Sequence, residues 1–434
     1  MHKINREILA LAIPSIITNI TTPLLALMDV VIVGHMGSPV YIAAIAVGGT
    51  MFNMLYWLFA FLRMGSSGLT AQAHGANDDG RCNQVLIRGL LVGLCASGLI
   101  IFLHKPICQL ALDFMEVTGE TRLFAVRYFS ILVWGAPAVL CTYSLSGWFL
   151  GLKNAKAPMW VSFIINLSNI VVSLTLVLLF NQKIEGVASG TLIAQWVGFL
   201  IGIIIAIRKY HPSIPRLSLI VDSTEIRRFF SINTDIFLRT LCLITVTAWF
   251  TRVGSQQGTI ILAVNTLLMQ FFILFSYFMD GFAFAGESLC GNFIGAADSS
   301  NLRKCINALF GWSVTMALLF SIIYLCGGDL LLGIMTADKA VIESSKEFYY
   351  WVVAIPFAGF ASFTWDGIFI GATQTRYMLL SMAVSTVVYF AVYHALFPLM
   401  GNHGLWLAFI CYLSVRGIVL TFCRRKIERR IHLS

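Results

Sequence analysis

The feature that most constrains this chain is a series of apolar segments of about twenty residues or more, separated by short polar connections. A helix of that length crosses the roughly 30 Å hydrocarbon core of a bilayer. Of the 434 residues, 58% are hydrophobic and only 11% are charged, which is more apolar surface than a water-soluble fold can bury. We therefore expect an all-α membrane protein with twelve transmembrane helices and no soluble domain. The predicted spans are 8–34, 40–63, 84–104, 122–150, 158–181, 185–208, 229–253, 259–292, 303–327, 345–371, 376–399 and 403–423.

The positions of lysine and arginine indicate how these helices are oriented. With the amino terminus in the cytoplasm, most of the 29 basic residues fall in cytoplasmic connections or in the carboxyl-terminal tail. Cytoplasmic loops of membrane proteins carry such an excess. We expect both termini in the cytoplasm and a multi-pass protein of the cell (inner) membrane. The net charge of +9 is spread over loops and not gathered in a basic, aromatic-rich module, so no nucleic-acid partner is predicted.

Three sequence patterns recur in the second half at a nearly constant offset, which indicates two similar halves. Position 75 corresponds to 295 and position 147 to 367, an identical offset, and the third pattern departs from it by only two positions. Six helices per half is an even number, so both halves insert the same way up and are related by a pseudo-two-fold axis along the membrane normal. The recurring pairs are GANDDGR at 75–81 with GAADSSNLR at 295–303, GWFLG at 147–151 with GIFIG at 367–371, and EGVASG at 185–190 with HGLWLA at 403–408.

The repeat divides the chain into two six-helix lobes with a connection between them. The connection contains Pro212 and Pro215 and lies on the cytoplasmic side. We expect a cleft between two lobes related in this way. The predicted domains are an N-terminal lobe at 1–208, a cytoplasmic linker at 209–226, a C-terminal lobe at 227–423 and a basic cytoplasmic tail at 424–434.

Motifs that would indicate other functions do not occur in the sequence. The ten cysteines are scattered, mostly in apolar runs, without a CxxC pair or metal-ligand spacing, so we predict buried thiols and no metal site. Neither HExxH nor a nucleophile elbow is present, so we do not expect an enzyme. No filter-like loop favours a channel. No GxxxxGK[ST] motif occurs, so the expected driving force is an ion gradient of H⁺ or Na⁺, with no other cofactor.

Several long stretches resemble the multidrug and toxin extrusion (MATE) family, and in particular its DinF branch. The resemblance runs in order along essentially the whole chain. It implies two six-helix lobes around a central cleft and a cation-coupled export function. The stretches are MDVVIVGHMGSPVYIAAIAVG at 28–48, FLRMGSSGLTAQAHGA at 61–76, INTDIFLRTLCL at 232–243, ILAVNTLLMQFF at 261–272, DGFAFAGESLCGNFIGA at 280–296 and WDGIFIGAT at 365–373.

Asp29 is the clearest functional candidate in the first half. An acid at membrane depth normally faces a cavity or a partner, and Asp29 lies in an apolar run without a nearby basic residue. By topology it lies roughly 8 Å below the outer end of its helix, with Asn169, Ser173 and Thr191 about 18, 12 and 9 Å below the same surface. A carboxylate, an amide and hydroxyls form a suitable site for a proton or a small hard cation. The alternative is a structural Asp29 that bonds to backbone.

The resemblance assigns a role to the same four positions. Asp29, Asn169 and Thr191 match family residues implicated in cation coupling. Ser173 departs from the pattern, because relatives often carry an acid at that position. The loss of this carboxylate weakens the case for Na⁺ and leaves proton coupling through Asp29, since burial can raise the pKa of an acid into the working range.

The second half contains its own polar cluster at membrane depth. Asp235 and Arg239 are four residues apart on one helix face, a spacing that allows them to pair. Asp280 and Glu287 are two helical turns apart and share a face, and Asp366 lies in the inner half of its helix. These acids either attract organic cations or relay protons, or they form an ion-paired network with Arg239 that stiffens the lobe. Both interpretations stay open on the sequence.

The function that fits these observations is secondary active efflux. A proton, or Na⁺, would be exchanged for small cationic or amphipathic organic compounds by a monomer in the lipid bilayer. The 33 Phe and 15 Met suit a pocket for flat, apolar cations, although none of them is assigned to cargo. The alternative is a flippase or exporter of a lipid-linked or amphipathic cell-envelope compound. A cleft rich in arginine and lysine would favour that alternative, whereas the helices here carry mostly acids.

Overall fold

The structure is a computed structural model that describes residues 2–34, 39–213, 222–336, 338–425 and 427. For residues 22, 24–31, 33, 34 and 39 it describes the backbone and not the side chain. Within these ranges the regular secondary structure is helical, which confirms the predicted fold class. The helices of the first half are α1 (His2–Gly34), α2 (Pro39–Leu58), α3 (Phe61–Gly75), α4 (Asp79–Phe102), α5 (His104–Phe114), α6 (Gly119–Leu132), α7 (Ala136–Gly151), α8 (Lys156–Leu178) and α9 (Ile184–Tyr210).

The helices of the second half are longer and fewer. A 3₁₀ turn at Val133–Gly135 joins α6 to α7 in the first half, whereas the corresponding helix of the second half is unbroken. The helices of the second half are α10 (Ser223–Gln256), α11 (Thr259–Gly295), α12 (Ser299–Met335), α13 (Lys339–Gly371), α14 (Thr375–Met400) and α15 (Asn402–Cys423).

The lengths of these helices agree with a membrane-spanning fold. Among the described residues, 11 helical stretches are long and apolar enough to cross a bilayer. Helix α1 provides the remaining predicted span and is 33 residues long. The second predicted span ends at residue 63, but the helical stretch continues to Gly75. Residues 64–75 are mostly small or polar, so hydropathy falls there while the helix continues, and Ser66, Ser67 and Thr70 are fully buried.

Contacts divide the chain into two compact units. The first unit is Ile17–Arg228, and the second unit consists of Met1–Ile16 with Phe229–Ser434. Residues 2–16 therefore pack with the second unit, whereas the sequence places them in the lobe 1–208. Of the predicted linker 209–226, residues 214–221 lie outside the described residues, as does most of the tail 424–434.

The internal repeat is visible in the backbone of the turns. We call two positions repeat-equivalent when their numbers differ by 220, as those of residues 75 and 295 do (295 − 75 = 220). Residues with positive φ, a conformation uncommon outside glycine, occur at repeat-equivalent places in both halves. The turns also share a helix cap, since each of two aspartates accepts a hydrogen bond from a backbone N–H three residues later. The pairs are Asn77 with Ala297, Lys153 with Thr373, Asn181 with Gly401, and the capping residues Asp78 with Asp298.

Close helix packing repeats in the same way. Gly147 lies so close to α3 that a Cβ at this position would overlap with the carbonyl oxygen of Arg63. Its repeat-equivalent residue, Gly367, lies similarly close to the carbonyl oxygen of Ala283. Glycine is required where two helix backbones approach this closely. The sequence repeat therefore reflects the same packing of helices within each half.

Candidate functional site

Three of the four predicted coupling residues lie together in the first unit. Asn169 on α8 and Thr191 on α9 are buried, and Asn169 Nδ2 donates a hydrogen bond of 2.8 Å to Thr191 Oγ1. The Thr191 hydroxyl in turn donates to the carbonyl oxygen of Val187 at 3.1 Å. These bonds fix the amide of Asn169 with its nitrogen toward α9.

Ser173 lies one helical turn after Asn169 on the same face of α8 and is fully buried. The neighbouring helix α9 has Gly190 at this level, and a Cβ there would overlap with Ser173 Oγ. The two helices therefore approach closely beside the Ser173 hydroxyl. We refer to Asn169, Ser173 and Thr191 as the amide–hydroxyl site.

Two buried oxygens of the amide–hydroxyl site have no hydrogen-bond partner among the described residues. They are Asn169 Oδ1 and Ser173 Oγ. A buried polar atom without a partner costs about 1–3 kcal/mol, so such atoms need an explanation. Both atoms can accept a hydrogen bond or coordinate a small cation. The backbone of Asp29 is helical within α1, and its side chain lies outside the described part of the structure, so its place in the site stays a prediction.

The second unit contains a different arrangement, in which three charged side chains meet. Asp366 on α13 accepts hydrogen bonds at its Oδ2 atom from Arg239 Nη2 of α10, at 2.6 Å, and from Arg416 Nη2 of α15. The exposed fractions are 6% for Asp366, 8% for Arg239 and 4% for Arg416. We refer to these three residues as the ion-pair cluster.

The other predicted acids of the second half differ from Asp366 in their surroundings. Asp235 accepts a hydrogen bond of 2.8 Å from Thr375 Oγ1. Its four-residue spacing from Arg239 predicts a pair between these two, whereas Arg239 donates a hydrogen bond to Asp366. Asp280 is half-buried on α11 and adds a favourable electrostatic interaction with Arg416. Glu287 is fully buried on the same helix, where Gly371 of α13 packs against its carbonyl oxygen.

Arg416 is the residue of this cluster that sequence reasoning missed. It lies in an apolar helix, outside every recognised motif, and its guanidinium also lies over the ring of Phe363, 5.6 Å from the centroid. A basic residue at membrane depth is itself the signal, because such residues require a partner.

The described residues include no group of three or more histidine, cysteine, aspartate or glutamate side chains placed to hold a metal ion.

Comparison with known proteins agrees with the resemblance seen in the sequence. The sequence profile of the MatE family matches residues 14–175 and 233–393. The chain is 37% identical to DNA damage-inducible protein F of Escherichia coli (strain K12) over 418 residues, which cover 96% of this chain and 91% of the relative. It is 23% identical to a probable multidrug resistance protein NorM of Idiomarina loihiensis over 445 residues, covering 96% of this chain and 93% of the relative.

Solved structures show the same fold. A Vibrio cholerae MATE transporter matches with a TM-score of 0.88 at 14% identity, covering 99% of this chain and 98% of that one. An outward-facing multidrug resistance MATE transporter of the MOP superfamily matches with a TM-score of 0.83 at 20% identity, covering 98% and 96%. The two matched ranges of the family profile correspond to the two halves of the repeat.

Proposed function

This chain belongs to the MATE family of membrane transporters, and on that premise we propose that it is a secondary active exporter. It exchanges a proton, or less favourably Na⁺, for cationic or amphipathic organic compounds. The observation that carries the proposal is the pair of buried, unpartnered acceptors in the amide–hydroxyl site, among the described residues. We further propose that it is a monomer of the inner membrane. The distribution of lysine and arginine supports a cytoplasmic position for both termini.

A contact between α1 and α8 supports the inclusion of Asp29 in this site. Asn166 Nδ2 donates a hydrogen bond of 2.9 Å to the carbonyl oxygen of Thr21. Both helices run outward in the predicted topology. Asp29 follows Thr21 by eight residues, and Ser173 follows Asn166 by seven. At about 1.5 Å per residue the two positions reach the same level, roughly 11–12 Å beyond the contact.

The composition of the site favours a proton over Na⁺. A firmly held Na⁺ needs several oxygen ligands, and carboxylates contribute most of the charge that holds a hard cation. Here Ser173 supplies a hydroxyl in place of an acid, and Gly190 packs against it. Asp29 is then the one predicted acid of the site. A proton needs a single acid, with neighbouring acceptors to orient it, and the driving force needs no organic cofactor.

The cargo is drawn to acids that it can reach. In the second unit, Asp366 is buried between Arg239 and Arg416, so it offers little attraction to an organic cation. Asp235 and Asp280 are only partly buried and are the better candidates.

A second candidate function follows from the ion-pair cluster. Its two arginines share one carboxylate and give the cluster a net positive charge, which attracts an acidic head group toward this part of the second unit. That observation favours the export or flipping of a lipid-linked or amphipathic envelope compound. The first function stays the better supported, because the unpartnered acceptors of the first unit are of the kind that bind a cation.

Transport by purified protein in proteoliposomes tests the proposal. A fluorescent organic cation is the probe, and pH and Na⁺ gradients are imposed separately. We expect the pH gradient to drive cation movement opposite to the protons, with little response to Na⁺ alone. Movement driven by neither gradient, together with gradient-driven movement of a fluorescent anionic lipid, would replace this function with the second one.

A further inference from the structure

The polar segment that joins the two halves is attached to the first unit. The structure describes residues 211–213 and 222–228 of this segment. Asn83 Nδ2 on α4 donates a hydrogen bond of 3.1 Å to Ser213 Oγ. Arg228 Nη2 donates one of 3.1 Å to Gln72 Oε1 on α3. Each of the two described parts of the segment is therefore held against a helix of the first unit.

Glu225 forms the central part of this attachment. Its Oε1 atom lies 2.6 Å from Arg81 Nη2, and its Oε2 atom lies 3.7 Å from Arg88 Nη1. One carboxylate thus bridges two guanidiniums of α4, which are two helical turns apart. We refer to Glu225, Arg81 and Arg88 as the Glu225 clamp.

The burial of Arg88 explains why the clamp needs Glu225. Arg88 is only 5% exposed and lies nine residues after the start of α4, about 14 Å along the helix at 1.5 Å per residue. A buried guanidinium is strongly unfavourable without nearby anions. Glu225 and, more weakly, Asp222 interact favourably with Arg88, so removal of Glu225 takes away the larger of these two contributions. Gln84 Oε1 accepts a longer hydrogen bond of 3.4 Å from Arg88 but carries no charge.

The start of α10 is fixed by its own cap as well. Asp222 Oδ1 accepts hydrogen bonds of 3.0 Å from the backbone N–H groups of Thr224 and Glu225. An aspartate at this position satisfies the first amides of a helix and interacts favourably with its dipole. The cap therefore fixes the backbone of the first turn of α10, from which the Glu225 side chain reaches the arginines.

The Glu225 clamp is a feature of the junction and not of the repeated fold. The residues repeat-equivalent to Arg81 and Arg88 are Asn301 and Ala308. The residue repeat-equivalent to Glu225 is Asn5. Helix α12 of the second half therefore has the same position in the repeat as α4 but lacks the two arginines. The clamp is therefore specific to the one place where the chain passes from one half to the other.

We propose that the Glu225 clamp keeps residues 222–228 part of the first unit throughout the transport cycle, so that α10 bends after Arg228. The boundary between the two units falls between Arg228 and Phe229, although α10 continues unbroken to Gln256. A hinge within a continuous helix places the moving part of α10 after its first two turns. That the attachment persists through a transport cycle rests on the proposed function. The attachment itself rests on the contacts of Glu225 and Arg228.

Hydrogen exchange tests the attachment without any transport. In Glu225→Gln, the amides of residues 223–228 should exchange at least about tenfold faster than in the wild type, because local opening no longer breaks an ion pair. Glu225→Asp should restore most of the protection. Glu120→Gln is the matched control, since Glu120 is exposed at the start of α6 and should leave these amides unchanged. Equal exchange in Glu225→Gln and the wild type would overturn the attachment.

Cross-linking tests whether the attachment persists during transport. Gln72→Cys and Arg228→Cys, whose wild-type side chains are hydrogen-bonded at 3.1 Å, are combined in a protein in which the exposed Cys95 and Cys326 are serine, and a short reducible thiol cross-linker joins them. We expect the cross-linked protein to transport the organic cation at the rate seen after reduction. Loss of transport on cross-linking, regained on reduction, would show that the segment must leave the first unit. If neither the reduced protein nor the wild type transports the cation, the proposed function is wrong, and hydrogen exchange with and without cargo still decides the attachment.

Discussion

The two halves share their turns and their closest helix contacts, yet they bury different chemistry at membrane depth. The amide–hydroxyl site of the first unit is neutral in its described residues, whereas the ion-pair cluster of the second unit holds three charges. The residues repeat-equivalent to Arg239 and Asp366 are Asn19 and Ser146. Because the first half forms the same fold without those charges, the fold does not require them. We therefore expect each half to have a function of its own on the common fold.

The largest effect is expected from breaking the ion-pair cluster. Asp366→Leu leaves the buried Arg239 and Arg416 without the carboxylate that they share, and loss of one partner of a buried ion pair costs about 3–5 kcal/mol. We expect a clear fall in the Tm of the purified protein.

A triple variant is the control for that comparison. Replacement of the whole cluster with apolar residues of similar size (Arg239→Met, Asp366→Leu, Arg416→Met) should restore most of the Tm, because such replacements are often neutral or stabilising. A triple variant as unstable as Asp366→Leu would show that the fold of the second half does need its charges. The conclusion that the fold common to both halves does not require buried charges would then be wrong.

A smaller effect is expected from adding an acid to the neutral site. Ser173→Asp places a larger side chain against Gly190, and overpacking a buried position costs about 1–3 kcal/mol. The new carboxylate also adds the oxygen that Na⁺ coordination lacks. We expect the Tm of this variant to lie below that of the wild type in KCl and to recover in NaCl, since a bound ion stabilises the folded state.

Ser173→Ala is the matched variant for this test. It removes the hydroxyl without adding bulk or charge, so its Tm should not respond to Na⁺. An identical Na⁺ titration in the wild type, Ser173→Ala and a folded Ser173→Asp would contradict the view that the missing carboxylate weakens Na⁺ binding.

The smallest effects are expected at the repeated helix caps. Asp78→Ala and Asp298→Ala should each cost about 1 kcal/mol, because each removes the acceptor for a backbone N–H at a helix start. The hydrogen bond from the backbone N–H of Asn301 lowers the pKa of the Asp298 carboxyl. Its stabilising contribution is therefore complete above the unfolded pKa of about 3.9 and is lost as the pH falls through the lower folded value.

Hydrogen exchange at the first turns of α4 and α12 measures both caps at neutral pH. Equal increases in exchange would support the equivalence of the two turns. An effect at one cap alone would show that the two turns share their shape but not their energetics.

The sequence predicted the helices well because long apolar runs leave few alternatives in a bilayer. It placed Asn169 and Thr191 in the outer half of one lobe but about 9 Å apart in depth, whereas their side chains are hydrogen-bonded at 2.8 Å. Helix α8 ends at Leu178 and the predicted span at 181, which accounts for about half of that difference. Partners across helices were harder to predict. The spacing of Asp235 and Arg239 suggested a local pair, and Arg416, which shares Asp366 with Arg239, lies in an apolar helix that no motif marks. Hydropathy also ended the second span too early, because small buried residues continue that helix to Gly75.

The central claim is that the first half carries the coupling proton, with Asp29 as its acid. The direct measurement is efflux of a fluorescent organic cation from proteoliposomes under a pH gradient, with Asp29→Asn and Glu120→Gln compared at equal amounts of folded protein. We predict that Asp29→Asn still binds the cation but moves it no faster than protein-free liposomes, while Glu120→Gln matches the wild type. Wild-type efflux in Asp29→Asn, under the same gradient, would contradict the claim.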